Sequence, residues 1–439
     1  MVELPSTLTD LQHALVSGKL SAAEALAAQQ LRLAATDVQV HAVVALLPVD
    51  ATPLSAGSLV GIGLAHKDIF NMTGRMPGLG HDKGSEAPGL LPATVIKRLA
   101  SQGAASIAAL AMTEYACGAT GGNERFARCI NPMNKDAVVG GSSSGSAAAV
   151  AAHMAYGSLG TDTAGSVRIP AATCGLAGLK TTHGLLPLDG VFPLAPSLDG
   201  VGILARTAAD LTQILLAAAI KGRLCPAKFT PPRIKAWIPE NSLHLSLALA
   251  MEDFLKVQKV GTRTSHCAQH SKLTHLSEII LHTETARTHR EALLDGTSPA
   301  AVNAVALAGL AIPVEWYAAA LAARTQTSRD FVREHLTKHD IFVLPALSAP
   351  VPDWNQVTPG QPRFDAQQLL GMHYYMGFVN YLGLPSLTIP ISHDFRGLPI
   401  SVQLISRPFH ELTLLKFAQD IGLPNGKKAS PLISSLQQV

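Results

Sequence analysis

The chain has no run of five or more like charges, no C-x-x-C pair, no H-E-x-x-H, and only 5% aromatic residues among its 439. Balanced charge, with 34 basic and 31 acidic residues for a net +3, gives no electrostatic footprint for nucleic acid or an anionic membrane, so neither is expected as a partner. The five cysteines, Cys117, Cys129, Cys174, Cys225 and Cys267, are odd in number and widely spaced. They read as reduced thiols of a cytoplasmic protein, with no disulfide frame and no zinc site. The N-terminus lacks a basic segment followed by an apolar one, and no uninterrupted apolar run nears the roughly 20 residues a membrane helix needs. His266, His270, His275, His282 and His289 are many but lack metal-ligand spacing, and are expected on a solvated helical face.

What is present is a large apolar reserve, 47% of residues. Length alone would divide such a chain into two or three domains. The pattern argues otherwise. Leu8, Leu11, Ala14 and Leu15 recur at helical spacing until Gly18, and Ser21 with Glu24 forms a capping box that opens a second helix towards Ala35. Apolar runs at Val43–Leu47, Val60–Leu64, Ile234–Ile238, Ile341–Leu344, Leu387–Ile391 and Ile400–Ile405 read as strands. Helical stretches at Ala93–Gln102, Ala208–Ala219 and Val314–Leu336 lie between them. Such alternation implies an α/β fold with a sheet covered by helices on both faces. No repeat or low-complexity linker interrupts it, so residues 1–439 are expected to form one domain.

From Val138 to Gly190 the composition changes to Gly, Ser, Ala and Thr. Gly140-Gly141-Ser142-Ser143-Ser144-Gly145-Ser146 feeds an alanine run of strong helix propensity. It can be a capped flexible turn. A phosphate loop needs a lysine there, and none occurs between Lys135 and Lys180. A nucleophile elbow would centre on Ser143, and needs a downstream acid and histidine. Gly160-Thr161-Asp162-Thr163-Ala164-Gly165-Ser166 presents backbone N–H groups beside a serine, as acyl transfer requires; alternatively Ser166 is a helix cap and Asp162–Arg168 an ion pair. Lys67 ends an apolar run, where burial lowers its pKa and makes it a base near neutral pH. The plainer reading is an ion-paired strand-end lysine, with His66 beside it on the opposite face.

Together these pieces resemble the amidase signature family, in which a K-D strand end precedes G-G-S-S-[GS]-G-S and then G-T-D-x-G-G-S-[IV]-R-x-P. Here Lys67-Asp68, Gly140 to Ser146 and Gly160 to Pro170 stand in that order. Met112-Thr113-Glu114-Tyr115, Asn131-Pro132, Cys174 to Lys180, Pro196 to Asp199, Gly383-Leu384-Pro385 and Gly397 to Ile405 extend the likeness along the chain, with a signature core of about 60–210. The resemblance implies a large mixed central sheet and an amidase that cleaves a C–N bond through an acyl-enzyme. It makes Ser166 the nucleophile, Ser142 the bridging serine and Lys67 the base, with a cis bond at Gly141–Ser142. It assigns the backbone of Thr163, Ala164, Gly165 and Ser166 to the oxyanion hole and gives Gly141, Asp162 and Arg168 supporting roles. No metal or organic cofactor is implied.

Ala164 departs from the usual glycine, which would add about 1 kcal/mol of strain if that position required positive φ. Ser144 and Thr181 replace a common glycine and a common proline. A stand-alone amidase of small amides or urea-like compounds is favoured over the A subunit of a transamidation complex, which usually differs across Thr113–Thr120. A non-catalytic scaffold would have lost Lys67, Ser142 or Ser166. A homodimer or a small accessory subunit is compatible with the resemblance, and Met112–Asn123, Leu294–Val314 and Phe364–Val379 are the expected pocket walls.

Overall fold

The computed structural model describes residues 2–49, 57–228, 230–240 and 242–422, so the remainder of the expected 1–439 domain lies outside the described residues. The first helix, Leu8–Val16, buries Leu8 and Leu11, and the second, Ala22–Val40, opens on the capping box of Ser21 and Glu24. The predicted strands occur within a residue or two of their expected limits, except that Val60–Leu64 is displaced to Gly63–Lys67. That shift places Lys67 as the last residue of a fully buried strand.

Backbone pairing makes a mixed sheet of eight strands. In spatial order these are Thr262–Thr264, Ile234–Trp237, Ile341–Pro345, Pro399–Ile405, Ser386–His393, Ala177–Lys180, Gly200–Ala205 and Gly157–Asp162. The first three run parallel and the rest pair antiparallel. A second sheet places Ala105–Leu110 between Val43–Leu46 and Gly63–Lys67. The two sheets meet along Gly63–Lys67 and Gly157–Asp162, where Leu159 N–H donates to His66 Nδ1 at 3.3 Å.

Both faces are covered. On strand Gly157–Asp162, a side chain at Gly157 would strike Ile214 of the helix Ala208–Ala218, while one at Gly160 would strike Ser143 and Val167 on the other face. Gly202, paired with Gly160 on the neighbouring strand, likewise lies under Val167. Glycine at this pair lets the segments carrying Ser142 and Ser166 settle directly on the sheet. The helix Ser144–Ala151 is buried throughout, so its alanines serve as close-packing surface as well as helix formers. Among the described residues no single helix is long and apolar enough to cross a membrane.

Candidate active site

Three chain segments converge at the junction of the sheets. Lys67 enters from the end of its strand, wholly buried, with Nζ 2.7 Å from Ser142 Oγ and 2.9 Å from Thr161 Oγ1. Burial drives its pKa down to about 7, against the opposing pull of the Asp199 and Asp162 carboxylates. A neutral amine is therefore accessible at ordinary pH. His66, one residue earlier, points to the other face and is held neutral by burial, its pKa lowered to about 3. It takes no part in the cluster.

Ser142 sits in the glycine turn after a cis Gly141–Ser142 peptide. The turn is held from both ends by the preceding segment: Thr113 N–H donates to Ser142 O at 3.2 Å and Gly141 N–H to Ala119 O at 2.6 Å. Ser143 is wholly buried, donates to Thr161 O, and stands immediately before the helix Ser144–Ala151. That position removes the elbow reading, which requires an exposed serine oxygen.

Ser166 is half-buried at the junction of loop and helix, just before Arg168–Cys174. Its carbonyl accepts the Ser143 N–H at 3.2 Å, which ties the two serine segments together. Among the described residues no hydrogen bond joins the side chains of Ser142 and Ser166. The loop before it turns at Gly165, with φ of 110°, while Ala164 is not among the residues with positive φ. The anticipated strain at Ala164 is therefore absent: the position that demands glycine still has it. Of the four loop amides, Gly165 N–H donates to Asp162 Oδ1 at 2.9 Å, whereas those of Thr163, Ala164 and Ser166 carry no hydrogen bond among the described residues.

Asp162 and Arg168 form a wholly buried bidentate pair at 2.8 and 3.0 Å. Burial alone would raise the Asp162 pKa, but the guanidinium, Asn380 and the Gly165 amide together hold it well below the usual carboxylate range. Arg168 also donates to Asn380 Oδ1 at 2.6 Å and Gln403 Oε1 at 2.8 Å. Asn380 returns a bond to Asp162 O at 2.8 Å. Sequence reasoning missed Asn380, Gln403, Thr161 and Asp199. Thr161 and Asp199 stood inside quoted motifs, as did Gln403; nothing local marks Asn380.

The histidine-rich stretch is corrected in part. His266 and His275 are exposed, but His270 and His289 are buried. His270 packs among Trp237, Tyr374, Tyr375 and Phe378, and His289 against Tyr115 and Phe192. No group of three or more metal-ligating side chains occurs among the described residues, and the five cysteines are free.

A mixed α/β sheet carrying a buried lysine against a serine of a cis glycine turn has the architecture the amidase signature implies. The Amidase family model matches residues 49–232 and 226–415, and the chain belongs to that family. It is thereby an enzyme acting on amide C–N bonds. It is 30% identical to the A subunit of the glutamyl-tRNA(Gln) amidotransferase of Chloroflexus aurantiacus, over 93% of this chain and 94% of that one. Among solved structures, a crystal structure of an amidase superposes with a TM-score of 0.82 at 25% identity, covering 95% of this chain and 100% of that one. A chain from a vestigial complex, described for the origins of an s-triazine catabolic enzyme, gives a TM-score of 0.84 at 25% identity, covering 96% and 100%.

Proposed function

We propose that the chain hydrolyses a small amide or urea-like substrate through an acyl-enzyme on Ser166. The observation that carries this reading is the 2.7 Å contact between Ser142 Oγ and a buried Lys67 whose pKa is lowered to about 7. A neutral amine with one lone pair accepts the Ser142 hydroxyl proton while donating to Thr161. Ser142 in turn takes the proton of Ser166 as Ser166 Oγ attacks the amide carbon. The carbonyl oxygen gains negative charge, and the free amides of Thr163, Ala164 and Ser166 stabilise it. The proton returns from Lys67 through Ser142 to the departing nitrogen, the C–N bond breaks, and water releases the acyl group by the same relay. Asp162 and Arg168 hold the loop and exchange no proton.

A serine-directed phosphonate is expected to label Ser166, and Ser166→Ala to abolish turnover across an amide panel. Labelling at Ser143, or full activity of Ser166→Ala, would sink the assignment.

The full-length likeness to the A subunit of an amidotransferase supports a second reading, in which the same site feeds a multi-subunit complex. Purified chain turning over amides without partners favours the stand-alone enzyme; activity only on addition of other subunits favours the complex.

A further inference from the structure

The loop that ends in Ser166 is gripped from the opposite side by a carboxylate that takes no part in the proton relay. Thr163 Oγ1 donates to Asp199 Oδ1 at 2.6 Å, and both residues are buried. The same carboxylate accepts Leu194 N–H at 2.9 Å and Ala195 N–H at 3.2 Å, so its two oxygens are fixed by a turn of its own segment before Thr163 is added. That segment is itself anchored. Glu284 Oε2 accepts Ser197 N–H at 2.8 Å, Arg324 donates to Ser197 O at 2.6 Å, and Asn380 donates to Leu198 O at 3.3 Å. These three side chains come from the helices His270–Thr288, Val314–His335 and Gly377–Leu382.

We propose that Asp199 is a positioning residue for acyl transfer, holding the backbone of Thr163 and Ala164 in register for the developing oxyanion through its bond to the Thr163 hydroxyl. The proposal rests on the reading of Ser166 as nucleophile. Thr163 is the first residue after the strand Gly157–Asp162, so its backbone direction is set on one side by the sheet. On the other side Gly165 and Val167 are pinned to Asp162. Between the strand and Gly165 lie the open amides of Thr163 and Ala164, with that of Ser166 just beyond, and the Thr163 hydroxyl supplies a side-chain anchor for that stretch. An oxyanion donor misplaced by a fraction of an ångström loses its advantage in the transition state while ground-state binding hardly changes. The chain's C-terminal half thus reaches the reaction centre through Ser197 and Asp199.

Steady-state kinetics and phosphonate labelling of Thr163→Val, Thr163→Ser, Asp199→Asn and the Thr163→Val/Asp199→Asn double variant test this. Thr163→Val and Asp199→Asn are expected to lower kcat about 10- to 100-fold with KM within about twofold. Thr163→Ser, which keeps the hydroxyl, should restore most of the rate. Because both single changes act on the same Thr163–Asp199 contact, removing its donor or the charge of its acceptor, the double variant should lose little more than the worse single one. Thermal unfolding of each variant separates this loss from misfolding. Wild-type kcat and labelling rates in Thr163→Val, or a failure of Thr163→Ser to recover, would overturn the brace while leaving Ser166 in place. Absence of Ser166 labelling in the unmodified enzyme would instead overturn the nucleophile assignment.

Discussion

Two lysines in this molecule share burial and differ in what they touch. Lys67 and Lys180 are both almost fully enclosed at strand ends, and burial lowers each pKa to about 7. Lys67 faces two hydroxyls, Ser142 and Thr161, whereas Lys180 donates to the backbone carbonyl of Leu384 at 2.7 Å, with Arg168 and Arg324 adding to its depression. A hydroxyl both accepts and donates; a carbonyl only accepts. A proton can therefore pass through the neighbourhood of Lys67 and stops at that of Lys180. Burial lowers both pKa values alike, and the hydroxyls around Lys67 are what suit it to the base role proposed for it.

Replacing the two lysines should separate them most sharply. Lys67→Ala is expected to lose on the order of 10³-fold in acylation, measured by burst kinetics at neutral pH. Lys180→Met should keep kcat within about tenfold. Equal losses would dissolve the distinction, and an active Lys67→Ala would remove lysine as the base.

The next effect lies in the pH profile. With Lys67 as the proposed base, its uncharged form alone would accept a proton, so kcat/KM should fall about tenfold per unit as pH drops below about 7 and level off above it. Lys180→Met should leave that limb where it is. A limb that moves with Lys180 would show that the second lysine titrates in its place.

Stability should respond to both lysines alike. Their pKa values fall from 10.5 to about 7 on folding, so the unfolded chain binds more protons between those values and stability rises with pH across them. The cost of each is complete below pH 7 and fades towards 10.5. Lys67→Met should accordingly gain about 2 kcal/mol at pH 6 once its lost hydrogen bonds are subtracted, and less at pH 10. Denaturant unfolding at the two pH values checks this; a gain that grows with pH would contradict it.

The smallest expected change is at Ala164. Since its φ is not positive, Ala164→Gly should alter kcat by less than about twofold and stability by under about 1 kcal/mol. A large gain in rate would mean that the side chain obstructs the loop after all.

Strands such as Ile341–Pro345 and Pro399–Ile405 were readable because their apolar runs, buried on both faces, are nearly continuous. Ala105–Leu110, Gly157–Asp162, Ala177–Lys180 and Gly200–Ala205 were not. The last three contain glycine, which favours no conformation and hides the strand until the packing above it is known, as at Gly160 under Val167. His270 and His289 misled for a related reason. A polar ring is counted as surface in sequence, yet here aromatic neighbours from distant segments enclose it.

The sequence by itself determined the order Lys67, Ser142, Ser166 and the loop types that carry them, because glycine turns, a strand-end lysine and an alanine helix are local requirements. Only the tertiary structure decided where positive φ falls in the Ser166 loop, and that Asp199, Asn380 and Gln403 brace it. Those choices depend on burial and hydrogen bonds between residues up to 235 positions apart. No local pattern encodes the partner across such a distance; the packing of the sheets supplies it.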